Sequence, residues 1–150
     1  MKKFILGLFL ILGAVSFAVP SFIDATKLQK SGHDIIQDEE NLFTIGSPKE
    51  DTALVISYYL TDKNSKELSD TIKADAPAGE VKFLSAINND QAYVNEFKHV
   101  DFYSFAIVSK KQKVNKYHIY VTYMSPKKLS KEDINKVINA ALNEAEGLIK

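Results

Sequence analysis

Residues 110–124, KKQKVNKYHIYVTYM, form the stretch that decides the fold. The stretch begins with lysines and polar residues and continues as a run of aromatic and β-branched residues, which is typical of a turn followed by a strand. Side chains alternate between the two faces of a strand. The alternation predicts a core-facing row of Tyr117, Ile119, Val121 and Tyr123, and a mixed row of His118, Tyr120, Thr122 and Met124.

The preceding run, residues 101–109, is a second strand candidate, so the two runs predict a β-hairpin with lysines at its tip. Two interpretations of the tip and of His118 are open. The lysines and the histidine could form a basic or catalytic site. Alternatively, His118 is a hydrogen-bonded structural residue of the arm. If a helix leaves a gap above the mixed row, His118, Tyr120 and Met124 are expected to line a ligand pocket.

The rest of the chain supplies more strands and two clear helices. Asn64 and Glu67 match a capping box for a helix that ends near Asp75. Ser130 caps an amphipathic C-terminal helix. Residues 24–32 could form a short helix, and residues 81–87 could be a strand or a helix. Strands are predicted at residues 33–38, 41–46, 52–61, 81–87, 91–98, 101–109 and 116–124.

The resulting element order is β-β-β-α-β-β-β-β-α. Short turns between successive strands favour antiparallel pairing. The sequence therefore predicts a single α+β domain over residues 19–150. Its antiparallel sheet has six or seven strands, and the C-terminal helix packs on the sheet. The run at residues 52–61 is hydrophobic almost throughout, which predicts a central strand covered on both faces.

The N-terminus has the pattern of a secretory signal peptide. Lys2 and Lys3 precede an apolar run at residues 4–17, which is shorter than the roughly 20 residues of a membrane-spanning helix. Small residues predict cleavage after Ala18, with cleavage after Ser16 as an alternative. A retained membrane anchor is the competing interpretation. Cleavage would leave no membrane span and place the product in the periplasm or outside the cell.

Composition excludes several classes of function. The chain has no cysteine, which excludes a thiol nucleophile, a thiolate metal site and a lipidated cysteine. Without Lys2 and Lys3, 17 lysines face 19 acidic residues, a formal charge of −2. Such a balance does not attract nucleic acid. All positive charge is lysine, which cannot grip phosphate through two parallel hydrogen bonds as arginine does.

No local motif indicates catalysis, a cofactor or a metal. Glycines are too far apart for a phosphate-binding loop, and no histidine pair has zinc-site spacing. His99 and Asp101 are the one local ligand pair, and an exposed turn explains them as well. His33 is expected to be a solvated strand end. The Asn88–Asp90 turn offers oxygen ligands for calcium but lacks the spaced acids of an EF-hand.

The tip lysines, Lys110, Lys111, Lys113 and Lys116, predict weak contact with an anionic surface. A protective role against edge-to-edge aggregation also explains them. A second group, Lys127, Lys128 and Lys131, follows the last strand. Nine strand residues span about 30 Å, so the two groups should lie at opposite ends of the hairpin.

In its order of elements, the chain resembles the PsbP-like group of α+β domains. The resemblance covers most of residues 19–150 and rests on strands, a helix, four more strands and a long C-terminal helix. It implies an extrinsic accessory subunit or an envelope protein without catalysis, and it assigns a role to no residue.

We therefore expect an exported, non-catalytic accessory or binding module of the bacterial cell envelope, with a partner protein or a small ligand. A secreted factor that acts on other cells fits the sequence equally well. The alternative from a different class is a small secreted hydrolase or metal-dependent enzyme that uses a histidine site. The sequence leaves the oligomeric state open.

Overall fold

The computed structural model describes residues 18–150. The predicted signal segment lies outside the described residues, apart from Ala18. In the described part, the elements are α1 (Ala25–Ser31), β1 (Asp34–Glu39), β2 (Leu42–Pro48), β3 (Ala53–Leu60), α2 (Ser65–Ala74), β4 (Lys82–Asn88), β5 (Ala92–Lys98), β6 (Tyr103–Ser109), β7 (Tyr117–Ser125) and α3 (Lys131–Gly147).

All seven strands form one antiparallel sheet in the order β1-β2-β3-β7-β6-β5-β4. Strand β7 occupies the centre and pairs with β3 on one side and β6 on the other. The predicted α+β class, the element order and the packing of the C-terminal helix on the sheet are confirmed. The hairpin formed by β6 and β7 is also confirmed, and residues 82–88 are a strand rather than a helix.

One face of the sheet, the α3 face, carries the main core. Ile56, Ile107 and Val121 are neighbours across three adjacent strands and are fully buried. Helix α3 presents its apolar stripe to this face, and Ile138 and Ala145 of that stripe are also fully buried. The core row predicted for β7 lies on this face, because Ile119 and Val121 belong to the same apolar cluster.

A buried hydrogen bond fixes α3 against the sheet. The hydroxyl of Tyr58 donates to the carbonyl of Ala145 at 2.6 Å. Burial raises the pKa of the Tyr58 phenol, with Glu144 adding to the effect, so the hydroxyl keeps its proton at neutral pH. The bond satisfies a carbonyl in the last turn of α3, where intrahelical partners are lacking.

The opposite face, the α2 face, is covered only in part. Helix α2 contacts β5 and β6, where the side-chain amide of Asn95 donates to the carbonyl and the hydroxyl oxygen of Ser69, each at 3.0 Å. Val55 and Tyr59 of β3 stay partly exposed on this face. The prediction that this strand is covered on both faces is therefore correct only for the α3 face.

The helix caps follow the sequence signals. Asn64 and Glu67 form the predicted capping box, with each side chain accepting a hydrogen bond from the other residue's backbone N–H. The Ser130 hydroxyl accepts from the N–H of Asp133. Helix α1 ends at Gly32, whose φ of 75° is the left-handed conformation that glycine tolerates. In residues 18–150, no helix is long and apolar enough to cross a bilayer.

The Tyr58 bond provides a direct test of how α3 is held. We expect Tyr58→Phe to lower the free energy of unfolding by about 1–2 kcal/mol, because the buried Ala145 carbonyl loses its donor. Tyr59→Phe is the matched control, since the Tyr59 hydroxyl has no hydrogen-bond partner in the described residues. Urea denaturation measures both. Equal losses in the two variants would contradict the assignment.

Candidate ligand-binding face

The mixed row of β7 lies on the α2 face, but it does not line one common pocket. His118 opens into a polar cavity at the hairpin tip, whereas Tyr120 lies in a separate, more apolar groove. Met124 lines neither of them. It lies near the far end of β7, opposite Ala53 and Ser104. The structure thus divides the predicted trio of His118, Tyr120 and Met124.

The polar cavity, called the tip pocket below, lies between the β3–α2 connection and the hairpin tip. Its volume is about 400 Å³. It is lined by residues 61–65 on one side and by Lys110, Gln112, Asn115, Lys116 and His118 on the other. Two chain segments that are distant in sequence therefore meet around this pocket.

His118 forms part of the wall of the tip pocket and is only 5% exposed. Its Nδ1 lies 3.4 Å from the Ser65 hydroxyl oxygen, which is long for a hydrogen bond. Nε2 has no partner among the described residues. His118 is thus buried beside a serine, and one of its two ring nitrogens remains available to a ligand.

The tip lysines have different surroundings. The Lys110 ammonium donates to the side-chain oxygen of Asn88 and to the carbonyl of Asn89. The Lys113 ammonium lies 3.5 Å from a carboxylate oxygen of Glu146. The ammonium of Lys116 lies 3.7 Å from a carboxylate oxygen of Asp62. Lys111 is exposed. The four lysines therefore do not form one free patch, and their contact with an anionic surface stays a prediction.

The second cavity, called the sheet groove below, runs along β1, β2, β3 and β7 beside α2. Its volume is about 380 Å³, within the range of small-molecule sites. Its apolar lining consists of Ile36, Leu42, Val55, Tyr59, Leu68 and Ile72. The groove exists because α2 packs over β5 and β6 and leaves this half of the sheet open.

Several polar side chains also line the sheet groove, and four of them are paired with each other. The hydroxyl oxygens of Thr44 and Ser57 lie 3.0 Å apart. Thr122 donates to the Tyr120 oxygen at 2.9 Å, which leaves the Tyr120 proton free for a ligand. Burial raises the pKa of Tyr120, with the Thr122 bond opposing, so the phenol stays neutral. The Tyr120 hydroxyl, on the sheet side of the groove, can therefore donate one hydrogen bond to a ligand in a mostly apolar site.

The other two histidines lie in different places. His33 is not a solvated strand end as predicted, because its side chain is only 1% exposed. Its Nδ1 lies 2.7 Å from the Ser31 oxygen. Its Nε2 lies 3.0 Å from a Glu144 carboxylate oxygen, but the two are not aligned for a hydrogen bond. The prediction failed because α3 covers this strand end, a contact that local sequence does not encode.

His99 lies in the β5–β6 turn. Its ring stacks on Phe102 with the ring centroids 4.0 Å apart, and its Nε2 lies 2.8 Å from the Ser104 oxygen. Neighbouring Asp101 is exposed. Within residues 18–150, no three His, Asp or Glu side chains converge as a metal site would require.

No protein-family model matches the chain, and no curated protein sequence is significantly similar to it. Function is therefore inferred from the residues and their geometry.

Sequence reasoning identified His118 and Tyr120 but missed the residues around them. Ser65 is the first residue of α2, and the capping-box pattern around it indicates only the start of a helix. Val55 and Tyr59 were assigned to a covered strand. The only available signal was the alternation of β3, which places them on the same face as Tyr120 once the two strands pair.

Acidification should weaken the fold through His33. Burial has the largest effect and lowers the pKa of His33. The negative charge of Glu144 raises this pKa, the positive charge of Lys49 lowers it, and the negative charge of Asp34 raises it. The unfolded chain binds the imidazole proton near pH 6.5, whereas the folded chain binds it only at lower pH. The free energy of unfolding that neutral His33 contributes above pH 6.5 is therefore lost as the pH falls through the pKa of His33 in the folded protein.

We expect the free energy of unfolding to fall less steeply in His33→Gln than in the native chain between about pH 7.5 and pH 5. Glu144→Gln should steepen the fall, because it removes a carboxylate that favours protonated His33. Urea denaturation at a series of pH values measures both slopes. An unchanged slope in His33→Gln would refute this account.

Proposed function

We propose that this protein is an exported, non-catalytic accessory or binding module of the bacterial cell envelope, and that it holds a small, mostly apolar ligand in the sheet groove. The groove itself is the observation that carries the proposal. It is a concave, largely apolar site of about 380 Å³ on an otherwise well-packed sheet. Concave apolar sites with a few polar groups are the usual form of small-molecule sites.

The lining indicates the chemistry of the ligand. Aliphatic side chains and two tyrosine rings favour an uncharged apolar body. Tyr120 supplies one hydrogen-bond donor from the floor, which favours a ligand with one oxygen acceptor. In the described part of the chain, the one charged group that lines the groove is the carboxylate of Asp75, next to the C-terminal end of α2. This negative rim disfavours an anionic ligand.

Two sequence features support the envelope setting. The pattern of residues 1–18 is that of an export signal. The order of strands and helices resembles the PsbP-like group, which implies a non-catalytic accessory role, and the observed strands and long C-terminal helix are compatible with that resemblance. Both supports are independent of the groove.

A second candidate, a small secreted hydrolase, is favoured by one contact. Ser65 lies beside His118 at the N-terminus of α2, where backbone N–H groups could stabilise an oxyanion. Against it, the oxygen–nitrogen distance is 3.4 Å, and no carboxylate among the described residues orients the His118 ring. The non-catalytic proposal therefore fits the geometry better.

The sheet groove can be tested by filling it. We expect the uncharged dye Nile red to bind the native protein saturably, with increased fluorescence in an apolar site. Val55→Trp should weaken binding roughly tenfold or more, because the larger side chain occupies the groove. Val100→Trp is the matched control, since Val100 is 87% exposed and lies outside the groove. Equal affinities for both variants would reject the groove as the site.

The hydrolase alternative has its own test. If the protein is non-catalytic, a fluorophosphonate probe should not label Ser65, because the hydroxyl is not activated. Intact-protein mass spectrometry measures labelling, and Ser65→Ala provides the background. Labelling that is lost in both Ser65→Ala and His118→Gln would favour the hydrolase over the binding module.

A further inference from the structure

The charge of the tip pocket is unbalanced. Lys63, Lys110 and Lys116 line it, against the single carboxylate of Asp62. Lys63 donates to the Thr71 hydroxyl, and Lys110 donates to asparagine oxygens, so the hydrogen-bond partners of both ammonium groups are neutral. Neutral partners leave the positive charge uncompensated. The pocket is thus locally positive on a chain whose formal charge is zero.

Among the described residues, Lys116–Asp62 is the one ion pair that involves a lysine of the tip pocket, and it is weak. The nitrogen–oxygen distance is 3.7 Å, and the side chains are 63% and 92% exposed. Exposed pairs of this kind contribute little and exchange readily with other ions. An anion that enters the pocket can therefore take over the Lys116 ammonium.

The first turn of α2 supplies uncharged donors at the same place. The capping box uses the N–H groups of Asn64 and Glu67. The N–H groups of Ser65 and Lys66 have no partner among the described residues. Helix N-termini favour anions because these free N–H groups point outward along the positive end of the dipole.

His118 provides an independent indication that the pocket takes a ligand. The residue is 95% buried, and its Nε2 has no hydrogen-bond partner in residues 18–150. His118 lines the tip pocket, so a ligand there can bond to this nitrogen without displacing a protein partner. As a donor from Nε2, His118 would add a third kind of group to the lysines and the helix amides.

The two walls of the tip pocket are fixed to each other. The N–H of Thr61 donates to the carbonyl of Lys116 at 3.0 Å. Lys116 has a φ of 64°, which is rare for a residue with a side chain, and the N–H of Tyr117 closes the turn on Val114 at 3.1 Å. The donors are therefore held in place before a ligand arrives, which lowers the entropic cost of binding.

We infer that the tip pocket binds a tetrahedral oxyanion, a phosphate group carried by a small molecule or by a lipid. The N–H groups of Ser65 and Lys66, the His118 ring and the Lys116 ammonium hold its oxygens. The site differs from the sheet groove in position and chemistry and does not depend on the apolar ligand. A pocket of about 400 Å³ admits one phosphate group and its substituent, not a nucleic-acid strand.

The inference is tested by titrating the ¹⁵N-labelled protein with inorganic phosphate at constant ionic strength, with chloride as the reference ion. We expect saturable shifts at the amides of Ser65 and Lys66. Lys116→Gln should weaken the affinity roughly tenfold, because it removes a charge-assisted contact. Lys127→Gln is the matched control, since Lys127 is an exposed lysine beyond the far end of β7.

His118→Gln should weaken phosphate binding as well, and Lys116→Gln keeps the test valid if the buried variant does not fold. Flotation with vesicles of phosphatidylcholine, with and without phosphatidic acid, separates the two sources of the phosphate group. Binding to the acidic vesicles that is lost in Lys116→Gln assigns the lipid; binding to inorganic phosphate alone assigns a soluble ligand. No saturable binding in either arm, or equal losses in Lys116→Gln and Lys127→Gln, would overturn the inference.

Discussion

The structure depends on the position of β7 between β3 and β6. That strand pairs with β3 over residues 117–124 and with β6 over residues 120–125, so one register sets which side chains face α3 and which face α2. Because the side-chain period of a strand is two, a slip by one residue would move Ile119 and Val121 out of the core. The same slip would move His118 and Tyr120 out of their cavities. Core and candidate sites are thus fixed by one pairing.

The two faces of the sheet differ because the two longer helices cover it differently. Helix α3 lies over the central strands β3 and β7, and its apolar stripe closes the main core. Helix α2 lies over β5 and β6 and leaves the half formed by β1, β2 and β3 open. An antiparallel sheet tolerates such a half-covered face. The sheet groove is a direct consequence of that offset.

The tip pocket shows how a nearly neutral chain can create a local field. Its lysines come from two segments that are distant in sequence. Lys63 follows β3, whereas Lys110 and Lys116 flank the β6–β7 turn. The pairing of β3 with β7 brings these segments together at one end of the sheet. The second lysine group lies beyond the other end of β7 and contributes nothing there.

The sequence by itself determined the order and the type of most elements, because period-two alternation, capping residues and the stripe of α3 are local signals. It left residues 81–87 open between a strand and a helix, and the structure decided for the strand. The sequence also determined that His118 and Tyr120 share a face. Only the tertiary structure decided which cavity each one enters, because that depends on where α2 packs. It also decided that His33 is buried against Glu144 and that Ser65 meets His118. These contacts join residues more than 50 positions apart, and no periodicity in the chain encodes them.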